Sequence, residues 1–391
     1  MNPASPILVF DNGAHSIKST FTSPSDPYAS VSSPSTIKTF RNAIVRSKNE
    51  KRSYIADEWD RCKDFGGLTF RVPFDKGILN NWEIEKQVWD RVFTGKGGRT
   101  LNIDPKTTSI AITEPVHNLP NVQEHYDQMV FEEYDFEHYL RIPGPAAIPY
   151  GLDARGPGNP LVHPPECCLV VDAGFSFTHV VPILRGSVIS SAVKRIDVGG
   201  KLMTNYLKEL VSYRHWYMMD QTSVMEHAKE TACYVSTEWE RDWEVANVPT
   251  NNPIVRTYVL PDFTPDSTNK LGYVRTGQTP PPIPPPEPAG PDGPAPVAQD
   301  EEQLLYLCNE RFTVPETLFT PTTIELNQAG LAESIANAIA LVPADVRGMF
   351  WNNIVCVGGS AGFAGFGPRL ERALRALAPV DCSVRVTVSS S

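Results

Sequence analysis

A pattern used twice constrains this chain more than any other feature. Ile7-Leu8-Val9-Phe10 is an apolar run that ends in Asp11-Asn12-Gly13, and Ile17 and Phe21 return after the turn. Much later, Cys168-Leu169-Val170-Val171 runs into Asp172-Ala173-Gly174, and Phe177-Thr178-His179-Val180-Val181-Pro182 returns. Each copy predicts a buried strand, a tight turn in which glycine reverses the backbone, and a second strand. A repeat spaced this widely predicts two related α/β halves rather than a solenoid, whose units follow one another closely.

A third junction takes Ile354-Val355-Cys356-Val357 into Gly358-Gly359-Ser360-Ala361-Gly362, followed by a helical stretch from Arg369 to Leu377. Turns of this kind let backbone N–H groups approach a phosphate or a purine. Between the junctions, Asn81 to Phe93 spaces Trp82, Val88, Trp89, Val92 and Phe93 at helical period, and Lys201 to Tyr213 does so with Leu202, Tyr206 and Leu210. Their aromatic residues are expected in the core. Ten of the residues in 280–296 are proline. Proline removes a backbone donor and fixes φ, so a proline-rich insertion at 264–300 is expected to be exposed and partly polyproline II, a spacer rather than a docking motif.

The 391 residues suffice for at least two domains, and 41% hydrophobic with 20% charged residues is ordinary for a soluble globular protein. No apolar run reaches the roughly 18 residues of a membrane span, and the short, uncharged Met1–Pro6 predicts neither a signal nor a transit peptide. Seven cysteines in no paired or metal-ligand spacing point to a reducing compartment. Cys167 and Cys168, on opposite faces of one strand, are expected in the core. The net charge of −10 argues against direct binding to phosphate backbones. It suits basic protein partners such as histones, although an acidic surface that merely keeps a protein soluble explains it as well.

Taken together, Asp11-Asn12-Gly13 with Lys18, Ile112-Thr113-Glu114-Pro115, Asp172 with Gly174, Asn309-Glu310-Arg311-Phe312 and Val357-Gly358-Gly359 resemble the actin superfamily, from about Ile7 to Arg375. The stretches Glu166–Pro182 and Arg195–Arg214, with Phe131-Glu132-Glu133-Tyr134 and Tyr258–Phe263, look most like the actin-related protein 6 family within it. That resemblance implies an α/β actin fold, in which two duplicated ribonuclease-H-like α/β domains form four subdomains around a nucleotide cleft. The first domain would take 1–150, with subdomain 2 at about 38–70. The second would take 151–391, with subdomain 4 at about 199–299. Actins close subdomain 1 with a further C-terminal segment, which is not found beyond Val388 and is expected to be missing by truncation. The resemblance further implies a nuclear, non-filamentous and non-catalytic scaffold subunit of a remodelling complex that exchanges histone 2A for its Z-type variant. Its partners would be the remodeller ATPase subunit, a small zinc-finger subunit and, indirectly, the nucleosome.

By the same resemblance, Asp11 and Asp172 would face magnesium through water, and Lys18 would contact phosphate. Asn12, Gly13 and Gly174 would shape the phosphate hairpins, Lys229 and Glu230 would contact ribose and adenine, and Gly358 and Gly359 would form the turn against adenine. Three departures from actin stand out. Ala14-His15 replaces Ser-Gly, Phe175-Ser176 replaces Asp-Gly, and Pro143-Gly144-Pro145 stands where a glutamine orients the attacking water. Losing one well-placed group in such a site commonly costs on the order of a hundredfold in rate, so efficient hydrolysis is not expected and no residue is assigned to catalysis. ATP with magnesium is expected as a weakly held structural wedge or not at all. Lys76 stands where actins carry a methylated histidine, and the charged segment 46–64 is shorter than actin's subdomain 2 loop, so filaments are not expected. A residual ATPase or cytoskeletal role is the alternative. A sugar or acetate kinase would share both hairpins but needs a catalytic acid that is not found.

Overall fold

The computed structural model describes residues 7–22, 37–48, 50–63, 65, 67–95, 99–151, 166–249, 252–262, 269–275 and 302–389. Two mixed sheets of one topology form its frame. In the first, β1 (Ile7–Asn12) pairs antiparallel with β2 (Ser16–Phe21), and β2 pairs antiparallel with β3 (Lys38–Arg41). On its other side β1 pairs in parallel with β4 (Ser109–Glu114), which is followed by β5 (His138–Pro143). In the second, β6 (Cys167–Ala173) pairs antiparallel with β7 (Thr178–Leu184), and β7 with β8 (Ser187–Val188) and β9 (Lys194–Ile196). β6 then pairs in parallel with β10 (Ile354–Val357), followed by β11 (Val386–Val388). The echo in the sequence is thus a duplicated sheet, with the β1–β2 hairpin answering β6–β7. This is the α/β actin fold.

The expected helices are present, but Tyr213, at the end of the helix Gly200–Arg214, faces solvent and is not in the core. Asn81 caps the helix Trp82–Thr94 by accepting from the Ile84 N–H at 3.1 Å. That helix buries Ile84, Val88, Trp89, Val92 and Phe93 against Leu8, Phe10, Ile17 and Ile112 of the first sheet. The second sheet is covered on both faces. Helices Leu331–Leu341 and Phe366–Leu377 pack with Leu169, Val171, Val180, Ile354 and Cys356 on one face. On the other, Cys168, Val170, Val181 and Val355 meet Val116 and Ile148. Cys167 and Cys168 are buried in these two different clusters, on opposite faces as alternation requires.

Each half carries a smaller sheet at the top of the cleft. In the first it is built from Ile44–Ser47, Ser53–Ile55 and Leu68–Arg71. Lys38–Arg41 lies outside it, because those residues continue the large sheet as β3. The charged segment 46–64 is fastened to the helix below, where Arg91 holds Asp57 with two bonds of 2.7 and 3.0 Å. In the second half, Arg256–Val259 pairs with Tyr273–Val274 and with Leu304–Leu307, the latter beyond residue 299. The proline-rich stretch 280–296 lies outside the described residues. Within the wider insertion, however, 269–275 is described and contributes the strand Tyr273–Val274, since it has no proline and offers an aromatic and a β-branched residue. Among the described residues no helix is long and apolar enough to cross a membrane.

Candidate functional site

The two hairpins face each other across a cleft of about 400 Å³. All the residues expected there line it: Asp11, Asn12, Gly13, Lys18, Asp172, Gly174, Lys229, Glu230, Gly358 and Gly359. Lining the cleft and pointing into it are different matters.

The first hairpin is held from behind by polar side chains. Thr113 donates its hydroxyl to Asp11 Oδ1 at 2.6 Å and accepts from the Asn12 N–H at 3.2 Å. The Asn12 side chain turns away from the cleft and donates to Glu85 Oε1 at 2.6 Å and to the Tyr126 hydroxyl at 2.9 Å. Trp89 Nε1 donates to the same Glu85 oxygen at 3.1 Å. Asn42 closes the turn, giving its side-chain N–H to the Gly13 carbonyl at 3.1 Å and its backbone N–H to that of His15 at 3.0 Å. Glu85 is fully buried, and neither its Oε2 nor the carboxamide oxygens of Asn12 and Asn42 meet a donor among the described residues. Burial pushes the Glu85 carboxyl up to about 7, against the opposing pull of Asn12, Asn42 and Trp89. Nothing in the sequence singled out Glu85, which looks like one more polar position of an amphipathic helix.

The second hairpin is held by backbone. The Gly174 N–H donates to the Phe177 carbonyl at 3.1 Å. The carbonyls of Gly174 and Phe175 accept from the Gly200 and Lys201 N–H groups at 3.0 and 2.8 Å, which caps the helix Gly200–Arg214. Gly358 approaches from the third junction with φ of +92°, and a Cβ there would lie 2.3 Å from the Ala173 carbonyl oxygen. Ser360 Oγ donates to the Gly174 carbonyl at 3.3 Å.

Across the cleft floor, burial pushes Asp172 up to about 6, helped by the neighbouring Asp11 and opposed by Lys18. Two facing carboxylates of this kind can hold a divalent cation through water. His179 stands opposite Asp172 in the β6–β7 register, its ring 4.2 Å from that of Phe177. Burial, with Arg195 and His117 nearby, pushes its imidazole down to about 4, so it is neutral at physiological pH. It sits in the returning strand of the sequence motif, where its register with an aspartate was the available signal. Gly144 and Pro145 also line the cleft, and neither offers a polar side chain.

The nucleoside end departs from expectation in one respect. Lys229 is buried and donates to the Gly200 carbonyl at 3.2 Å and to Thr204 Oγ1 at 3.0 Å. Burial lowers its pKa, with Glu226 and Glu230 opposing. Its ammonium therefore serves the start of a helix, while Glu230 is exposed.

Several side chains span the cleft. The His15 ring lies 4.9 Å from the Phe175 ring, and His15 Nε2 lies 2.9 Å from Glu226 Oε1. The other Glu226 oxygen accepts from Arg41 at 2.8 Å. Burial alone would raise the Glu226 carboxyl, but His15 and Arg41 bring it down to about 2. Lower down, Gly77, at φ +79°, lies so close to the Phe177 ring that a Cβ would overlap it. Arg195 sits over that ring at 4.5 Å and donates to the Lys76 carbonyl at 2.9 Å. Arg41 and Glu226 carried no signal in the sequence, because each acquires its role from a partner far away in the chain.

The family model described as Actin matches residues 3–391. Among similar proteins, "Actin-like protein ARP6" of Cryptococcus neoformans var. neoformans serotype D is 45% identical over 97% of this chain and 75% of its own length. "Actin-like protein ARP6" of Yarrowia lipolytica is 38% identical over 96% of this chain and 84% of its own length. "Actin-related protein 6" of Drosophila melanogaster is 36% identical over 97% of this chain and 88% of its own length.

Proposed function

Since the chain belongs to the actin family, we propose that it is a non-catalytic actin-related scaffold subunit of a nuclear remodelling complex that exchanges histone 2A for its Z-type variant. Its direct partners are then the remodeller ATPase subunit and a small zinc-finger subunit, with the nucleosome reached through them. The relatives named actin-related protein 6 support this branch of the family.

The contact between the His15 and Phe175 rings carries the non-catalytic part of the reading. In this family a nucleotide's phosphates lie between the two hairpins, and here the His15 and Phe175 rings reach toward each other from the two sides, 4.9 Å apart, and narrow the cleft at that level. Glu226 adds a carboxylate on the same line, and the Lys229 ammonium is committed to Gly200 and Thr204. Asp11 and Asp172 suit a hydrated magnesium ion, but the residues between the hairpins do not suit a triphosphate. No group stands at Gly144 or Pro145 to orient a water.

Purified protein, denatured and chromatographed, is expected to release far less than one equivalent of nucleotide. Phosphate release is expected at least about a hundredfold below that of a filament-forming actin. Affinity purification from nuclear extract should recover a remodeller ATPase and helicase-like ring proteins, and recovery of a lone monomer would count against the assignment. The retained Asp11–Asp172 pair favours the second reading, an ATP-binding actin-like protein with residual ATPase or cytoskeletal activity. That reading requires bound ADP and salt-induced sedimentation.

A further inference from the structure

We propose that Glu226 is a built-in anion that takes the place of a nucleotide phosphate between the two halves, bonded to Arg41 with His15 Nε2 alongside, so that the halves are joined without nucleotide. Glu226 belongs to the helix Thr222–Ala232 of the second half, whereas His15 lies in the first hairpin and Arg41 on β3 of the first half. The carboxylate presents one oxygen to each partner, at 2.9 and 2.8 Å. A phosphate held in an actin-type cleft is likewise an anion contacted from both halves. Here the anion is covalently part of one half, so closure requires no second molecule and carries no binding entropy cost.

Two neighbouring features fit that role. Phe175 packs on His15 from the side of the second hairpin, and the Arg41 and Glu226 side chains are themselves largely buried, which strengthens the ion pair between them. At the top of the cleft, Lys270 of the second half donates to the Cys62 carbonyl at 2.9 Å and lies over the Phe65 ring at 5.4 Å. Leu271 beside it packs into the apolar cluster of the small sheet of the first half. The halves are therefore tied at two heights by residues of the chain itself.

The inference rests on the reading that no triphosphate lies between the hairpins, and is independent of the remodeller assignment. Hydrogen exchange of the full chain, with and without millimolar Mg-ATP, tests it on the amides of 13–16 and 174–177. Wild-type protein is expected to protect both segments equally in either condition. Glu226→Ala should raise their exchange by roughly tenfold while the helix at 82–94 stays unchanged, the size expected for losing a charge-assisted contact. His15→Gln, which keeps a polar side chain beside Glu226, should stay within about twofold of wild type. If Glu226→Ala does not fold, His15→Ala is read in the same way, since that side chain is about a third exposed. Hairpins that exchange freely until Mg-ATP slows them would overturn the proposal, as would variants that leave both segments unchanged. Stoichiometric ATP in the purified protein would instead remove the reading beneath it, so the two failures are told apart.

Discussion

The two hairpins have one topology and opposite means of support. The first, around Gly13, depends on side chains behind it: Thr113, Asn42, and the buried group of Asn12, Glu85, Trp89 and Tyr126. The second, around Gly174, depends on main-chain bonds to the helix at Gly200 and on the close passage of Gly358. A duplicated element can thus keep its shape while the forces that hold it diverge. The first hairpin should answer to pH and to polar substitutions. The second, apart from the contact that Phe175 makes with His15 across the cleft, should respond more to added volume than to either.

The largest effect expected from breaking this contrast is at Gly358→Ala. The new methyl would meet the Ala173 carbonyl at a backbone conformation that disfavours side chains, which should cost roughly 3 kcal/mol or more in urea denaturation at any pH. Next comes Glu85→Gln. Because burial raises the folded pKa to about 7 from an ordinary 4.5, the stability associated with Glu85 is complete below pH 4.5 and is lost as pH rises to 7. The glutamine variant lacks that loss, so its advantage over wild type should grow with pH and level off at about 3 kcal/mol above neutrality. Equal pH profiles for the two proteins would show that Glu85 is not the buried proton carrier described here.

Glu226 supplies the opposite slope. Its pKa is lowered, so its contribution is present above pH 4.5 and lost as pH falls toward 2, and His15→Ala should flatten that acid limb of the stability curve. A smaller effect is expected at Thr113→Val, which removes the hydroxyl from Asp11 and Asn12 and should cost about 1–2 kcal/mol by thermal denaturation. Smallest of all should be Ser360→Ala. Its bond to the Gly174 carbonyl is long at 3.3 Å, and backbone already holds that hairpin, so about half a kcal/mol is expected.

Local features of the fold were legible in the sequence. The hairpins, the two amphipathic helices and the third glycine junction each lie within a short window, where period and turn chemistry act directly. What escaped the sequence depends on distance. Arg41 and Glu226 meet across 185 positions, so neither has a local signature. Glu85 follows helical spacing and looks solvated until Asn12, Trp89 and Tyr126 are seen to enclose it. Lys229 sits at the spacing of a nucleoside contact, yet Gly200 and Thr204 claim its ammonium. The strand Tyr273–Val274 was hidden by the prolines that follow it.

The same duplicated sheets set an order of events during synthesis. The first sheet can be completed once Pro143 has left the ribosome, since β5 is its last strand. The second cannot, because β6 must wait for Ile354 to arrive, and β10 in turn for Val386. Late closure of such distant strands slows folding and leaves apolar β6 and β7 uncovered in the nascent chain. The N-terminal sheet can therefore be complete before the second one closes, and a nascent chain halted near residue 300 would expose the apolar strands that attract chaperones.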